Sequence, residues 1–218
     1  MASRRLSEER DLASVFARLV ANEPRPVGPG RHHGAHGADD PEPLPAAVTI
    51  ASAADAGRRR LTGRRLRRRL VRLLRAQLDA QQVWLGIAAH FDRDGLGGLA
   101  ALFRDGAGEH GRRAAEIMRY LASRDVAFEL PPIGAAPTRY RSAALAVGVA
   151  LERAMRTARR ADAAAGSAVS RRDLRTLQFL ERFAEPEAEQ ERRLRKLLGM
   201  LASGLNAYQA EALLREPA

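Results

Sequence analysis

Arginine is the most abundant residue type in this chain that could bind a charged ligand, and many of the arginines lie in one stretch. Residues 58–75 hold ten arginines and no acidic residue. Guanidinium groups bind phosphate oxygens, so this stretch is a candidate for non-specific contact with nucleic acid. The candidate residues are Arg58, Arg59, Arg60, Arg64, Arg65, Arg68 and Arg72. The alternative is a solvated helix face, and part of the arginine content reflects codon usage, because Lys196 is the only lysine.

Histidine is the second residue type that could carry chemistry here. His32, His33 and His36 lie close together, and such a group could hold a metal ion transiently. A solvated loop is the favoured interpretation, because residues 22–47 also contain six prolines and several glycines. The chain has no cysteine, which excludes disulfides, cysteine-zinc sites and thiol catalysis.

The net charge of +11 is unevenly distributed along the chain. Residues 1–75 contribute +8 and residues 76–218 contribute +3, so a basic N-terminal part precedes a nearly neutral remainder. No apolar run reaches the length of a membrane span. Charged residues are spread through the N-terminus, which is not the pattern of a secretory signal. We therefore expect a cytoplasmic protein with no membrane partner.

The sequence divides into an N-terminal extension, residues 1–62, and a helical bundle, residues 63–218. Within the extension, residues 7–20 predict a short amphipathic helix, because four apolar residues recur at helical spacing. Its apolar stripe consists of Leu12, Val15, Phe16 and Leu19. Residues 22–47 predict a flexible linker, because they offer too little apolar surface to offset the entropy of ordering.

Helical periodicity and punctuation predict five helices and no strand in the bundle. They cover about residues 64–91, 96–123, 142–162, 170–202 and 207–215. Three prolines between the second and third helices predict a long extended connection, which makes those two helices parallel in a four-helix bundle. The fold class is therefore all-α, with a long crossover and a short fifth helix.

Local signals mark the ends and the weak points of these helices. Residues 170–173 (SRRD) resemble a capping box at the start of the fourth helix, and Asn206 can cap the fifth. Pro186 interrupts the fourth helix and makes its register uncertain. The second helix contains three interior glycines, each costing about 1 kcal/mol relative to alanine, so it is predicted to be the weakest.

Four segments resemble the ferritin family, and together they span about residues 66–216. Residues 91–94 (FDRD) resemble its first interhelical turn, and residues 117–121 (IMRYL) resemble the end of its second helix. Residues 150–153 (ALER) resemble the ligand region of the third helix. Residues 206–215 are similar to the fifth helix that shells of 24 subunits use around their four-fold axes. The bacterial non-haem ferritins are the most similar branch.

The resemblance implies where a di-iron oxidation centre would lie. Ferritins oxidise Fe(II) with a glutamate on helix one, Glu-x-x-His on helix two, a glutamate on helix three and Gln-x-x-Glu on helix four. The residues at these positions are Gln77, His110, Arg113, Glu152, Glu187 and Gln190. His110 then takes a glutamate position and Arg113 the histidine position. Glu109 is a further acid, which could face the shell cavity or join a rearranged site.

The charges at these positions disagree with a di-iron centre. The family set carries about four negative charges against two Fe(II) ions, whereas Glu152, Glu187 and Arg113 together carry about −1. Because arginine does not lose its proton, the hypothesis is that Arg113 pairs with Glu152 or Glu187 and replaces the metal. Trp84 is interpreted as a core residue, and His110 as a hydrogen-bonded interior histidine in preference to a lone metal ligand.

The resemblance implies a shell subunit for intracellular iron storage with an impaired or absent ferroxidase centre. Iron would be present as stored mineral. No haem is expected, because the methionine that binds haem in bacterioferritins has no counterpart on the first helix. The implied partner is a second copy, in a shell of 24 subunits that is uniform or mixed with catalytic ferritin subunits. Two alternatives stay open: a non-catalytic scaffold that binds nucleic acid or a protein partner through its arginine-rich arm, and a ferroxidase with rearranged ligands.

Overall fold

The structure, a computed structural model, describes residues 63–215, and these form five helices. The helices are α1 (Arg64–Arg93), α2 (Gly97–Ser123), α3 (Ala143–Ser170), α4 (Leu174–Ala202) and α5 (Ala207–Arg215). No strand occurs within this described range. The predicted helix 7–20, the linker 22–47 and Arg58 to Arg60 lie outside it, and the division at residue 62 stays a prediction.

Contacts along α1 fix the directions of its two neighbours. From the end of α1 to its start, Arg93 donates to the Thr138 carbonyl (3.0 Å), Asp79 pairs with Arg153 (3.2 Å) and Arg69 donates to the Ala163 carbonyl. The chain positions therefore run in opposite senses, and α3 is antiparallel to α1.

The pairing of α1 with α2 is antiparallel as well. Trp84 lies against Phe103 with ring centroids 5.1 Å apart, and Gln77, two turns earlier, contacts His110. Because α2 and α3 both run against α1, they are parallel to each other. This confirms the predicted bundle with a long crossover, here the extended residues 126–141.

The core forms because each long helix carries an apolar stripe at helical spacing. In α1, Leu66, Leu70, Leu73 and Leu74 are fully buried, and the stripe continues to Ile87. Burying side chains of this size stabilises the fold by roughly 1.5–3 kcal/mol each. None of the helices in residues 63–215 is long and apolar enough to cross a membrane.

Two helix ends differ from the sequence predictions. The third helix extends to Ser170, eight residues beyond the predicted end, and the Ser170 hydroxyl donates to the Gly166 carbonyl inside that helix. The capping box at residues 170–173 is therefore wrong: Asp173 alone caps α4, accepting from the Thr176 amide (3.1 Å). Pro186 lies inside α4 without ending it.

The fifth helix begins where its sequence predicts. Asn206 Oδ1 accepts from the Gln209 amide (2.9 Å), and the Gln209 side chain accepts from the Asn206 amide (3.0 Å). Glu211 then accepts hydrogen bonds from the Gly98 and Leu99 amides in the first turn of α2. A carboxylate there satisfies donors that the helix itself leaves unpaired and opposes the positive end of the helix dipole.

Candidate metal centre in the bundle interior

A hydrogen-bonded chain of three side chains crosses the bundle interior. The Gln77 amide donates from Nε2 to Glu187 Oε1 (2.8 Å), and Gln77 Oε1 lies 2.6 Å from His110 Nδ1. With the amide in this orientation, His110 Nδ1 must be the protonated nitrogen, and His110 Nε2 carries a lone pair. The three residues come from α1, α2 and α4, so helix packing alone positions them.

His110 is held in its neutral form by its surroundings. Burial lowers its pKa to about 3, and the nearby charge of Arg113 acts in the same direction. The His110 ring is fully buried. This supports the interpretation of a hydrogen-bonded interior histidine, and it leaves one free nitrogen lone pair as the best single donor to a metal in the interior.

Arg113 places a guanidinium group inside the same interior. It is only 2% exposed, and its Nη1 donates to Gln190 Oε1 at 3.3 Å. Burial lowers the Arg113 pKa, and Glu187 opposes that shift, yet arginine keeps its charge in proteins. Burial likewise raises the pKa of Glu187, against the effects of the Arg113 charge and the Gln77 hydrogen bond.

The direct ion pair expected for Arg113 does not form. Within residues 63–215 no carboxylate oxygen lies within 4.0 Å of its guanidinium nitrogens. Glu187 acts on Arg113 through the longer-range attraction of opposite charges. The physical reason is that Glu187 is already oriented by Gln77, while Gln190 fills the hydrogen-bonding position next to Arg113.

Glu152, the position predicted on the third helix, lies outside this cluster. Its carboxylate accepts from Arg153 (3.0 Å) and from Arg156 (2.6 Å), and one third of its side chain is exposed. The pairing with Arg113 is therefore wrong for this residue, because two other arginines on α3 hold it at the surface.

Glu109 also lies outside the cluster. It is exposed and pairs with Arg112 (2.7 Å), which also binds Glu116 (2.5 Å). The Arg112 hydrogen bond lowers the pKa of Glu109, so this carboxylate is fully ionised at neutral pH. A rearranged site that needs Glu109 and Glu152 together with Glu187 has no geometric support.

Trp84 and Gly106 shape the wall of the interior next to His110. The Trp84 and His110 rings meet edge to face at a centroid distance of 5.1 Å, and Trp84 is almost completely buried. A Cβ at residue 106 would lie 2.0 Å from the Trp84 ring. The absence of a side chain at Gly106 therefore leaves the space that the Trp84 ring occupies. From the sequence, Gly106 was interpreted only as a weak point of the second helix. The only sequence signal was a glycine one helical turn before His110.

Three buried polar atoms around this interior have no hydrogen-bond partner among residues 63–215: Trp84 Nε1, His110 Nε2 and Arg113 Nε. Two of them are donors, and one is an acceptor when His110 carries its proton on Nδ1. Buried polar atoms are normally paired, so this combination matches a small polar group such as a water molecule better than a cation.

The donor set does not fit two iron ions. Among residues 63–215, Glu187 is the single carboxylate in this cluster, and a cationic guanidinium stands where a ligand would have to donate electrons. Within residues 63–215 no three histidine, aspartate or glutamate side chains are grouped closely enough to hold a metal ion. The interior orients one histidine and one carboxylate, against the four carboxylates that the family pattern implies for a di-iron centre.

The candidate phosphate-binding arginines occupy a different surface. Arg64, Arg65, Arg68 and Arg72 are exposed on the first half of α1, while Arg58, Arg59 and Arg60 lie outside the described residues. No ion pair joins the four described arginines to an acid within residues 63–215. They form a cationic stripe away from the interior cluster.

Comparison with known structures shows what this fold is similar to. The structure matches an open pore ferritin from the hyperthermophilic archaeon Archaeoglobus fulgidus with a TM-score of 0.65 and 19% identity, covering 71% of this chain and 95% of that one. It also matches a PmFTN variant that was soaked in iron, with a TM-score of 0.62 and 20% identity, covering 65% of this chain and 90% of that one.

At these identities the structural likeness concerns the fold. No curated protein sequence matches the chain. The family assignment rests instead on the model of the ferritin-like domain, which matches residues 68–203. This match covers more than half of the sequence and includes most of the first long helix and all of the other three. The protein therefore belongs to the ferritin-like domain family.

Proposed function

We propose that this protein is a shell-forming subunit for intracellular iron storage whose own bundle does not oxidise Fe(II). The observation that carries the proposal is the buried guanidinium of Arg113, which lies beside His110, Gln190 and Glu187 in the interior. Family membership supports the storage role, and the iron-soaked PmFTN variant is a structural neighbour.

Electrostatics explains why oxidation would not occur in the bundle. Two Fe(II) ions bring four positive charges, and Arg113 adds a fifth against the single carboxylate of Glu187. Charges buried without compensation carry a penalty of several kcal/mol each, which exceeds what His110 and Gln77 could recover as neutral ligands. Iron would then reach the store as Fe(III) formed on mineral already present or on catalytic subunits of a mixed shell.

The test is aerobic oxidation of Fe(II), followed by absorbance, for the full-length protein and one interior variant. We expect the wild-type rate to match buffer. The variant Gln77→Glu, His110→Glu, Arg113→His restores carboxylate and imidazole ligands and removes the buried cation, so we expect its rate to exceed buffer by at least about tenfold, a barrier change of about 1.4 kcal/mol. Arg112→His is the matched control, because Arg112 is exposed and forms its ion pairs among residues 63–215 with Glu109 and Glu116.

A second measurement uses only the wild-type protein, so it remains informative if the variant fails to fold. Titration of the wild-type protein with Co(II), a spectroscopic substitute for Fe(II), should show no saturable binding of two ions per subunit. Fast wild-type oxidation at a fixed ratio of iron to subunit, or two Co(II) ions bound per subunit, would show that the bundle contains a di-iron centre and would overturn the proposal.

A second candidate function is non-specific binding of nucleic acid by the arginine-rich arm, which we propose as the alternative. The exposed stripe of Arg64, Arg65, Arg68 and Arg72 favours it, since these guanidinium groups have no acidic partner within residues 63–215. Each phosphate contact to duplex DNA releases counterions, so the logarithm of the binding constant falls with the logarithm of salt concentration by about 0.9 per contact.

This alternative predicts a change in salt dependence as well as affinity. Replacing Arg64, Arg65 and Arg68 with glutamine should make the slope less steep by roughly 3, because three phosphate contacts are lost. Fluorescence anisotropy of labelled duplex DNA between 50 and 200 mM salt, about the range in which this effect is large, measures the slope. Arg159→Gln with Arg160→Gln on α3 is the control, and a slope that changes equally in both variants argues against a dedicated arm.

A further inference from the structure

A crevice of about 550 Å³ lies between α2 and α4, and its floor is aromatic. Tyr120 of α2 stacks on Phe179 of α4 with ring centroids 4.1 Å apart, and Phe183 meets Phe179 edge to face at 5.1 Å. The Tyr120 hydroxyl is hydrogen-bonded to Thr176 (2.7 Å) and accepts from Arg124 (2.8 Å). Contacts from both helices therefore fix the position of this floor.

The rim of the crevice carries positive charge from both helices. Arg119 of α2 and Arg182 of α4 are exposed, and both line the crevice. Neither forms an ion pair with an acid in the range 63–215. Arg112, which lies two turns before Arg119 on the same face of α2, behaves differently, because it pairs with Glu116 (2.5 Å). Arg119 and Arg182 thus face one space with no protein acid to neutralise them.

The charges of the lining residues do not cancel. Three arginines and one acid line the crevice within the described part of the chain, which gives a net charge of +2. The acid, Glu116, pairs with Arg112, and Arg112 also holds Glu109, which does not line the crevice. The uncompensated charges are therefore those of Arg119 and Arg182. An anion bound between these two side chains would remove their mutual repulsion and accept charge-assisted hydrogen bonds from both.

A phosphate group matches this arrangement in geometry and in charge. A guanidinium presents a planar fork that donates to two phosphate oxygens at once, so two arginines can hold one phosphate group between them. A phosphate monoester carries a charge of about −1.5 to −2 at pH 7, close to the net charge of the crevice, whereas a carboxylate would leave one arginine uncompensated.

The size and the floor of the crevice indicate that the phosphate carries an organic group. A volume of about 550 Å³ falls in the range of sites for small organic molecules, roughly 300–1,000 Å³, and an inorganic phosphate ion would leave most of it empty. The edges of Tyr120 and Phe179 offer apolar surface to a flat or apolar group next to the phosphate.

We propose that the crevice between α2 and α4 binds a small phosphate monoester. Its phosphate lies between Arg119 and Arg182, and its organic group lies on the floor formed by Tyr120 and Phe179. The proposal does not depend on iron storage, since it uses neither the interior cluster nor the shell. It also uses different arginines from the stripe on α1.

Three probes separate the two parts of the ligand. Isothermal titration calorimetry of the full-length protein, at constant ionic strength, compares phenyl phosphate, inorganic phosphate and benzoate. We expect phenyl phosphate to bind most tightly, with one molecule per chain, because it alone combines a dianion with an aromatic ring. Equal affinity for inorganic phosphate would overturn the role of the aromatic floor, and equal affinity for benzoate would overturn the preference for a dianion.

Removal of the two guanidinium groups tests the position of the phosphate. Arg119→Gln with Arg182→Gln should weaken the binding of phenyl phosphate at least about tenfold, because hydrogen bonds to a charged group are lost. Arg159→Gln with Arg160→Gln on α3 is the matched control, since both arginines are exposed, lie outside the crevice and change the net charge equally. Equal losses in the two variants would show that net charge alone attracts the anion, and the site would be disproved.

A conservative pair separates the site from a folding defect. Arg119→Lys with Arg182→Lys keeps both charges but loses the planar fork, so we expect an affinity between those of wild type and the glutamine variant. Misfolding of the glutamine variant is excluded when its helical circular dichroism and its thermal unfolding match wild type. An affinity in the lysine variant no higher than in the glutamine variant would contradict a phosphate held between these two side chains.

Duplex DNA could present the same phosphate groups from a macromolecule. We expect it to leave phenyl phosphate bound to the wild-type protein, and we expect its own affinity to be the same in the two glutamine variants, because phosphate contacts without a specific site depend on net charge. Displacement of phenyl phosphate by DNA, together with weaker DNA binding in Arg119→Gln, Arg182→Gln than in the control, would make the crevice a nucleic-acid surface and overturn the small-molecule site.

Discussion

At the scale of single residues, Arg113 sets the charge of the bundle interior. A guanidinium inside a bundle needs hydrogen bonds and opposite charge, and Arg113 has one hydrogen bond to Gln190 and the longer-range field of Glu187. The second acid that a di-iron centre would need, Glu152, is held at the surface by Arg153 and Arg156. The interior is consequently a hydrogen-bonded polar cluster with balanced charge.

His110 makes this cluster sensitive to pH. Its pKa falls to about 3 on folding, mainly through burial, while an unfolded histidine has a pKa of about 6.5. A depressed pKa means that the unfolded chain binds the proton first, so the stability that this group contributes is complete above pH 6.5 and is lost as pH falls. Between pH 6.5 and pH 5 the expected loss is about 2 kcal/mol.

The measurement is urea unfolding of wild type and His110→Asn at pH 7 and pH 5, at one protein concentration. The difference between the two pH values should be smaller in the variant by about the same 2 kcal/mol. Glu187, whose pKa is raised by burial, gives the opposite sign, with stability lost as pH rises through its folded pKa. Equal pH dependence in both proteins would mean that His110 is already protonated or solvated in the folded state.

The residues of the cluster differ in how far the sequence could predict them. Gln77, His110 and Glu187 follow from the family pattern, and the structure brings them together. Glu152 followed the same pattern and does not join them. Its pairing with Arg156 at the i,i+4 spacing was visible in the sequence, and such a pair favours a surface position. The fit of Trp84 against Gly106 depends on the packing of two helices, which no local pattern encodes.

At the scale of elements, Glu211 attaches the fifth helix to the first turn of α2. Its carboxylate accepts from the Gly98 and Leu99 amides of α2, and Tyr208 donates to the Asp94 carbonyl (2.9 Å). The Glu211→Ala substitution leaves two first-turn amides without their acceptor. We expect it to cost about 1–2 kcal/mol, as for the loss of a helix cap, and to release α5.

Hydrogen exchange followed by mass spectrometry would detect this release. Peptides covering residues 97–100 and 207–213 should exchange faster in Glu211→Ala, with the rest of α2 unchanged. Glu181→Ala, which removes an exposed acid from α4, is the matched control. Unchanged protection of both peptides would show that α5 is held by its apolar contacts and not by the carboxylate.

Element boundaries were predictable wherever a strong stop signal existed. The ends of α1, α2 and α5 fall within two residues of the prediction, because Gly95, at φ 74°, allows a turn that other residues resist, and Asn206 is an effective cap. The end of α3 was missed because residues 163–170 (AAAGSAVS) look like a loop in composition. Tertiary packing keeps them helical, since Ala164 and Ala168 are fully buried.

At the scale of the whole molecule, net charge opposes the assembly that the family membership suggests. Each chain carries +11, so a shell of 24 subunits would carry about +260, and its subunits would repel one another over distances up to about the Debye length. Most of this charge lies in the first 75 residues. Salt shortens the Debye length from about 30 Å at 0.01 M to about 10 Å at 0.1 M, so assembly should strengthen as salt rises.

We expect the full-length protein to sediment as a particle of about 570 kDa, which corresponds to 24 chains of 23.8 kDa. Because salt screens the repulsion, the assembled fraction should be larger at 0.3 M than at 0.01 M salt, roughly the range over which screening becomes effective. DNA binding by the same arginines must weaken over this range, so the two properties respond to salt in opposite directions. Sedimentation velocity and DNA anisotropy on one preparation measure both. Particles that dissociate as salt rises would show that ion pairs between subunits, and not apolar contacts, hold the shell together.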